Sequence, residues 1–239
     1  MACFGQFNIQ VHQDGIRVST HKHCEMRVCP FCLYRGPYRT ARKYVPHILR
    51  LAAEGHRLQY LTLTESSMPI LSRSILDELW ACWGRFRRQT LFAGVVATLA
   101  CMQITRSPNG WHPHLHIILI GGSDISKEAV QTAWYLLTQD RLDGYEVDVR
   151  PIKQPDIRRV ITYSLRMAPV ETAEDLSQLY DSIYRMRLVR ATGKLYGLGK
   201  EKGFQQAAVF PSEDAEIIGT YNTDDAIDEL IAASLSAQN

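Results

Sequence analysis

Residues 110–120 read GWHPHLHIILI, and the alternation in this stretch constrains the fold more than any other feature of the chain. Histidine at every second position, followed by an aliphatic run, is typical of a β-strand, because successive strand side chains point to opposite faces. His114 and His116 then share one face, roughly 6.6 Å apart along the strand, while Leu115 and Ile117 point into the core. Two imidazoles at that separation can bind one metal ion.

His112 has the same parity, but we place it outside the ligand set as a reserve ligand. Pro113 has no amide hydrogen to donate to a strand ladder, so we place it at the first residue of the strand, with His112 just outside. The alternative interpretation of all three imidazoles is a row of hydrogen-bonded histidines on a polar sheet face.

The segment before these histidines supplies a third candidate ligand. Residues 94–105 (GVVATLACMQIT) read as a strand and SPNG as a tight turn, which predicts a hairpin with residues 111–120. Alternation on that strand brings the amide oxygen of Gln103 beside the two histidines, on a face that Thr62 of an earlier strand also lines. Two imidazoles and one oxygen leave positions open on a hard or borderline ion such as Mg²⁺ or Mn²⁺. Glu65 is a reserve ligand, although its parity is wrong.

The remaining periodic segments indicate an α+β fold. Further strands are predicted at residues 57–64 and 145–152, and helices at residues 72–92, 126–139, 156–167 and 173–189. Strands before, between and after helices, with a central hairpin, favour an antiparallel sheet covered by helices. With 46% hydrophobic residues, a chain of 239 residues can bury a substantial core.

The charge distribution favours a polyanionic partner. The net charge is only +2, but all 27 Lys and Arg residues precede Pro211, and seven of the 25 acidic residues follow it. The chain up to Pro211 therefore holds 27 basic against 18 acidic residues, a net charge of +9, which suits nucleic acid. No apolar run approaches the roughly 20 residues of a membrane span, and the N-terminus does not resemble a signal peptide. We predict a cytoplasmic protein without a membrane partner.

The N-terminal segment HKHCEMRVCPFC contains three of the six cysteines. Cys24, Cys29 and Cys32 have the spacing C-x4-C-x2-C, and thiolates select zinc, which takes four ligands. With His21 as the fourth candidate, and His23 and Cys3 as its alternatives, we predict a small structural zinc element; three reduced thiols without a metal are the competing interpretation.

Basic and aromatic residues alternate in the next segment, LYRGPYRTARKY at residues 33–44. Arg35 and Arg39 are its candidate DNA contacts, since such a mixture can pair with phosphates and stack on bases. A solvated start of a helix is the competing interpretation.

Five motifs in order give the chain a family resemblance. They are CEMRVCPFC at residues 24–32, YLTLT at 60–64, HLHIIL at 114–119, ITYSLRM at 161–167 and RMRLVRATGKLYG at 185–197. Together they resemble the HUH-type rolling-circle replication initiators of small plasmids, in the Rep_1-like branch. The resemblance implies the HUH endonuclease-type fold, with a central antiparallel sheet flanked by helices and a small N-terminal zinc-binding element.

The same resemblance implies a metal-dependent, site-specific DNA endonuclease and strand transferase. Tyr163 matches the nucleophile that attacks a phosphodiester of single-stranded or supercoiled origin DNA, forming a 5′-phosphotyrosine and a 3′-OH that primes replication. Arg166 and Arg159 are expected on the same helical face, where they would favour phenolate and hold phosphate. The nearby Tyr180 and Tyr184 are interpreted as packing residues. Host helicase and polymerase are the implied protein partners.

Two departures from the family pattern concern the nucleophile motif. Many relatives carry lysine where Arg166 stands, which keeps the charge but changes the geometry. Some relatives end the cycle with a glutamate shortly before the tyrosine; here Arg159 occupies that region, and Asp156 is the nearest upstream acid. Three routes of termination are open: hydrolysis assisted by Asp156, hydrolysis assisted by a second protomer, or transesterification alone.

The sequence therefore predicts three segments. Residues 1–55 form the zinc-binding element and a basic helix, residues 56–210 the nicking domain, and residues 211–239 an acidic tail. Competing functions are a zinc-stabilised nucleic-acid-binding protein that does not nick, and an HUH relaxase or single-tyrosine transposase.

Overall fold

A computed structural model describes residues 6–12, 15–20, 30–138, 146–167, 170, 172–198 and 216–222. The chain divides into two compact units, one formed by residues 1–32 and 201–239 and the other by residues 33–200. Helix and strand bounds, in chain order, are β1 (Gln6–His12), β2 (Gly15–Thr20), α1 (Pro30–Ala53), β3 (Leu58–Thr64), α2 (Arg73–Phe86), β4 (Val95–Ser107), β5 (Gly110–Gly121), α3 (Lys127–Thr138), β6 (Val147–Pro151), α4 (Ile157–Tyr163), α5 (Ala173–Ile183), β7 (Val189–Gly193) and β8 (Glu216–Asn222). Short 3₁₀ turns lie at Thr90–Phe92 and Gln154–Asp156.

The larger unit is built on a five-stranded sheet in the order β6-β3-β5-β4-β7. Every neighbouring pair of its strands is antiparallel, which confirms the predicted α+β class and the predicted hairpin of β4 and β5. That hairpin pairs Ser107 with Gly110 at its turn and Val95 with Gly121 at its far end. The two central strands thus carry the site residues on a rigid, doubly paired scaffold.

Alternation divides the sheet into two faces with different coverings. On one face, side chains of β3, β4 and β5 pack with residues from α1 and α4, including Ile48, Ile157 and Ile161. On the opposite face, Leu115 and Ile117 are fully buried, as predicted. Aromatic rings of α2, α3 and the 3₁₀ turn after α2 pack against one another on that side, at Trp83, Phe86, Phe92 and Trp134.

A loop after β3 closes against the start of β5. Met68 and Trp111 exchange backbone hydrogen bonds of 2.8 and 2.7 Å. Gly110 makes this approach possible: its φ is +115°, and a Cβ there would lie 2.2 Å from the carbonyl oxygen of Met68. Strand β5 begins at Gly110, which pairs with Ser107 of β4, so the prediction that Pro113 is the first strand residue is wrong, and His112 lies within the strand opposite Thr105.

Three predicted helices end earlier in the structure. The helix predicted at residues 72–92 ends at Phe86 and is followed by the separate 3₁₀ turn at Thr90–Phe92. The helix predicted at residues 156–167 ends at Tyr163. The helix predicted at residues 173–189 ends at Ile183, because Arg185, just past the C-cap Tyr184, takes the left-handed conformation with φ 54°. The chain then enters the edge strand β7, which the sequence analysis did not predict.

The smaller unit contains a three-stranded sheet in the order β2-β1-β8. Strand β8 lies within the segment predicted as an acidic tail, and it pairs antiparallel with β1. The predicted zinc ligands His21, Cys24 and Cys29 lie outside the described residues, and Cys32 lies in α1. The predicted segment boundaries at residues 55 and 210 stay predictions. In the described part of the chain, no helix is long and apolar enough to cross a membrane.

Candidate active site

Strand register brings the predicted metal ligands together on one face of the sheet. Gln103 of β4 lies opposite His114 of β5, and His116 lies between Cys101 of β4 and Thr62 of β3. The alternation of both central strands therefore produces a polar cluster of Gln103, His114, His116 and Thr62 within an otherwise apolar sheet. We call these four residues the polar cluster.

The orientation of the Gln103 amide is fixed from both ends. Its oxygen Oε1 lies 2.6 Å from Nε2 of His114 and 2.7 Å from Nε2 of His116. Its nitrogen Nε2 donates to the backbone carbonyl of Tyr163 at 3.1 Å and also to that of Arg166. Because an amide oxygen only accepts, both imidazoles donate from Nε2 in this arrangement. One side chain thus connects the histidine pair with the end of α4.

Burial keeps both imidazoles neutral. His114 is 9% exposed and His116 is 5% exposed. Burial, reinforced by the nearby His112, lowers the pKa of His114 to about 4. Burial, reinforced by His114 and Arg150, lowers the pKa of His116 to about 3. A neutral imidazole has one nitrogen lone pair to offer to a metal; here that lone pair is on Nδ1, so metal binding through Nε2 requires the ring proton to move to Nδ1.

The polar cluster has the donor set of an open metal site. Two Nε2 atoms and one amide oxygen converge, separated by the 2.6 and 2.7 Å hydrogen bonds. Ligands about 2.1 Å from an octahedral ion lie about 3 Å apart, so an ion would fit after a small separation of these atoms and a shift of each ring proton from Nε2 to Nδ1. His116 would then donate from Nδ1 to Thr62 Oγ1, which lies 3.2 Å away.

Neither reserve ligand joins this set. Among the described residues, no group of three or more His, Cys, Asp or Glu side chains is arranged to hold a metal ion. The ring of His112 contacts that of His114 with centroids 5.3 Å apart, and His112 is only half-buried. Glu65 is buried at 4% exposure just after β3, where its carboxylate accepts from the amide of Ser66. The amide oxygen of Gln103 is thus the third donor that converges on the histidine pair.

Tyr60 holds His116 from the other side, and sequence reasoning missed this role. The Tyr60 ring stacks on the His116 ring, with centroids 5.5 Å apart and an interplanar angle of 11°. Its hydroxyl lies 3.1 Å from Oγ of Ser164, the residue after Tyr163. Burial raises the pKa of Tyr60 to about 12, so this phenol stays protonated. Both residues fall in motifs already singled out, YLTLT and ITYSLRM, but only packing pairs them.

Tyr163 is the last residue of α4, and its side chain is 52% exposed. Its ring centroid lies 5.9 Å from that of His116. The buried residues Ile157 and Ile161 anchor the same helix to the sheet. An accessible phenol is therefore held beside a buried histidine pair.

The helix ends at Tyr163 because other groups satisfy its carbonyls. Gln103 binds the carbonyls of Tyr163 and Arg166, and the amide of Arg166 returns to the Tyr163 carbonyl at 3.0 Å. Arg166 consequently lies in a turn beyond the helix, so its predicted place on the helical face of Tyr163 is wrong. It remains exposed near the end of α4.

A cleft of about 480 Å³ adjoins the exposed tyrosine. Its lining residues come from β3, β6, the following turn and α4, and are Tyr60, Arg150, Pro151, Ile152, Lys153, Asp156, Arg159, Val160 and Tyr163. Three of them are basic and one is acidic, so the cleft suits an anionic ligand. Arg159, predicted from the sequence, is 81% exposed and pairs with Asp156 at 3.0 Å.

Arg150 and Lys153 were not predicted, since no motif marks them. Arg150 lies over the Tyr60 ring, 5.0 Å from its centroid, and 3.5 Å from Asp148. Two other predicted DNA contacts, Arg35 and Arg39, lie in α1. Arg39 is exposed and lines no part of this cleft.

A family model described as a replication protein, Rep_1, matches residues 15–229. The match covers most of the chain, including all of the larger unit, and confirms the resemblance drawn from the ordered motifs. Searches of curated proteins and of solved structures found no match to the chain.

Proposed function

The chain belongs to the Rep_1 family of replication proteins, and from this premise we propose that it nicks and rejoins plasmid origin DNA with Tyr163 as the nucleophile. One observation carries the proposal. Gln103 contacts both histidines with its oxygen and the backbone of Tyr163 with its nitrogen. The candidate nucleophile and the candidate metal ligands are thereby positioned by the same side chain.

The proposed reaction is a transesterification at phosphorus. The phenolic oxygen of Tyr163 forms a bond to the phosphorus and loses its proton, while the bond from phosphorus to the 3′ oxygen breaks and that oxygen takes up a proton. The products are a 5′-phosphotyrosine and a free 3′-OH. Attack by a 3′-OH on the phosphotyrosine reverses the step and rejoins a strand, so no external energy source is needed.

His114, His116 and Gln103 would hold a divalent ion, Mn²⁺ or Mg²⁺. When bound there, such an ion supplies Lewis-acid chemistry, polarising a phosphoryl oxygen and offsetting the negative charge of the transition state. Thr62 and Tyr60 orient His116, the first by a hydrogen bond of 3.2 Å and the second by stacking.

The basic residues of the cleft would bind the DNA strand beside the scissile phosphate. Arg150, Lys153 and Arg159 line the same cleft as Tyr163, and arginine can grip phosphate through two parallel hydrogen bonds. Arg166 is exposed just past the tyrosine and can reach the same strand. We propose single-stranded or supercoiled origin DNA as the substrate, with a host polymerase extending the freed 3′-OH and a host helicase unwinding the duplex. A structural zinc held by His21, Cys24, Cys29 and Cys32 is part of the same proposal.

Incubation with Mn²⁺ and end-labelled origin DNA, followed by a denaturing gel, tests the nucleophile directly. We expect wild-type protein to form a covalent protein–DNA adduct that the Tyr163→Phe variant cannot form, because the variant lacks the attacking oxygen. Tyr196→Phe is the matched control, since Tyr196 is 71% exposed and lines no part of the cleft. DNA binding without nick or adduct in wild type would instead support a replication protein that binds DNA without cutting it.

A further inference from the structure

A cluster of arginines lies on the side of the sheet opposite the cleft. The cluster is formed by the start of α2, the turn after α5 and the edge strand β7, and we call it the arginine patch: Arg73, Arg185, Arg187 and Arg190. Three of these residues belong to the motif RMRLVRATGKLYG, to which the proposed nicking reaction assigns no role. All four are exposed.

Aromatic rings and a backbone carbonyl hold the arginines in place. The guanidinium of Arg190 lies 4.2 Å from the centroid of the Trp80 ring, and that of Arg185 lies 5.2 Å from the centroid of the Tyr184 ring. Arg73 donates to the carbonyl of Tyr184 at 2.9 Å. Stacked guanidinium groups keep their N–H donors free to point outward.

Like charges are held together in the patch. Burial lowers the pKa of Arg190, and the neighbouring Arg187 and Arg73 lower it further, against the opposing effect of Asp77. Asp77 itself pairs with Arg73 at 2.8 Å. The patch therefore keeps an excess of positive charge whose mutual repulsion an anionic partner would relieve.

The backbone of Arg185 adopts a conformation that is unusual for arginine. Arg185 has φ 54°, in the left-handed region that few residues other than glycine adopt. An arginine there places its guanidinium on the Tyr184 ring, whereas glycine at this helix end would relax the backbone without adding charge. Strained residues of this kind cluster at sites of function.

We propose that the arginine patch binds the phosphate backbone of duplex DNA, separately from the strand held at Tyr163. Trp80 is 2% exposed beneath Arg190, and Arg185 lies over the ring of Tyr184, which is 49% exposed. The patch therefore presents four guanidinium groups for phosphates against one partly covered ring for bases. The side of the sheet away from the cleft would thus contact duplex flanking the nicked site. Binding of duplex DNA by the arginine patch does not depend on cleavage by Tyr163.

The test compares two double variants, each in a Tyr163→Phe background so that no strand is cut. Arg185→Gln with Arg187→Gln removes two exposed charges from the patch and leaves Arg190 on Trp80. Arg87→Gln with Arg88→Gln is the matched control: both residues are exposed at the C-terminal end of α2, about 20 Å along the helix from Arg73.

Binding to a duplex of about 30 base pairs and to a short single strand is measured over a range of salt concentrations. We expect the slope of log K against log salt for the duplex to fall by about 2 in the patch variant and to stay unchanged in the control. Single-strand affinity and the thermal unfolding midpoint should match the parent. An unchanged duplex slope, an equal loss in the control, or an equal loss for the single strand would each overturn the proposal.

Discussion

The two faces of the five-stranded sheet are formed by the same strands but bury different kinds of side chain. On the face covered by α2 and α3, the central strands present residues such as Leu115 and Ile117, which are buried and apolar. On the other face, the neighbouring residues His114 and His116 are nearly as buried but polar, and they depend on Gln103 for their hydrogen bonds. The first face gains its stability mainly from apolar burial, with a few paired polar groups such as Thr98. The second holds buried polar groups that are tolerable only while each keeps its partner.

Gln103→Leu should have the largest effect on the polar face. The change leaves two buried imidazole N–H groups without their acceptor and removes the donor to the Tyr163 carbonyl. We expect adduct formation to fall by at least about 100-fold and the free energy of unfolding to fall by about 2–4 kcal/mol. Adduct kinetics measure the first effect, and urea titration measures the second.

Met102→Leu is the control for that change, since Met102 is the fully buried neighbour on the opposite face. A volume-conserving apolar swap should cost less than about 1.5 kcal/mol and leave adduct formation intact. Equal effects of the two variants would show that the polar face has no special dependence on its partners.

Acid should destabilise the polar face selectively in metal-free protein. Burial holds the pKa values of His114 and His116 near 4 and 3, below the ordinary 6.5. Below pH 6.5 the unfolded chain therefore binds protons that the folded chain does not, so stability falls as pH falls toward the folded values. Between pH 6.5 and 5.5 the pair should account for a loss of about 2 kcal/mol in the free energy of unfolding.

Urea titrations across this pH range, with a chelator present, measure the loss. The double variant His114→Gln, His116→Gln should show a shallower dependence, because glutamine does not titrate. The same slope in both proteins would mean that the imidazoles are accessible to protons in the folded state.

Thr62→Val should give the smallest effect. The hydroxyl of Thr62 pairs with Nδ1 of His116, so its loss should weaken Mn²⁺ binding by about 10-fold through poorer orientation of that ring. Thr98→Val is the control, because Thr98 faces the opposite side and its hydroxyl pairs with Thr192 at 2.7 Å. Calorimetric Mn²⁺ titration distinguishes the two variants. Unchanged Mn²⁺ affinity in Thr62→Val would show that Thr62 does not orient His116.

Some errors of the sequence analysis came from tertiary contacts that override local pattern. Periodicity continued a helix to residue 167, but Gln103 satisfies the carbonyls of Tyr163 and Arg166, and the helix ends at Tyr163. Proline suggested that β5 begins at Pro113, but Pro113 lies opposite Ile104 and pairing with β4 continues back to Gly110. In both cases a contact with another element supplied what the local pattern could not indicate.

The sequence by itself determined the hairpin, its register and the shared face of Gln103, His114 and His116. A period of two and a four-residue turn are local properties, and together they decide which side chains lie opposite one another. Only the tertiary structure decided that Tyr163 lies beside His116, that Arg150 and Lys153 share its cleft, and that Arg73 joins the arginines before β7. Gln103 contacts the backbone of Tyr163, 60 residues on, and Arg73 contacts the backbone of Tyr184, 111 residues on. These groupings depend on how helices dock on the sheet, which no local periodicity encodes.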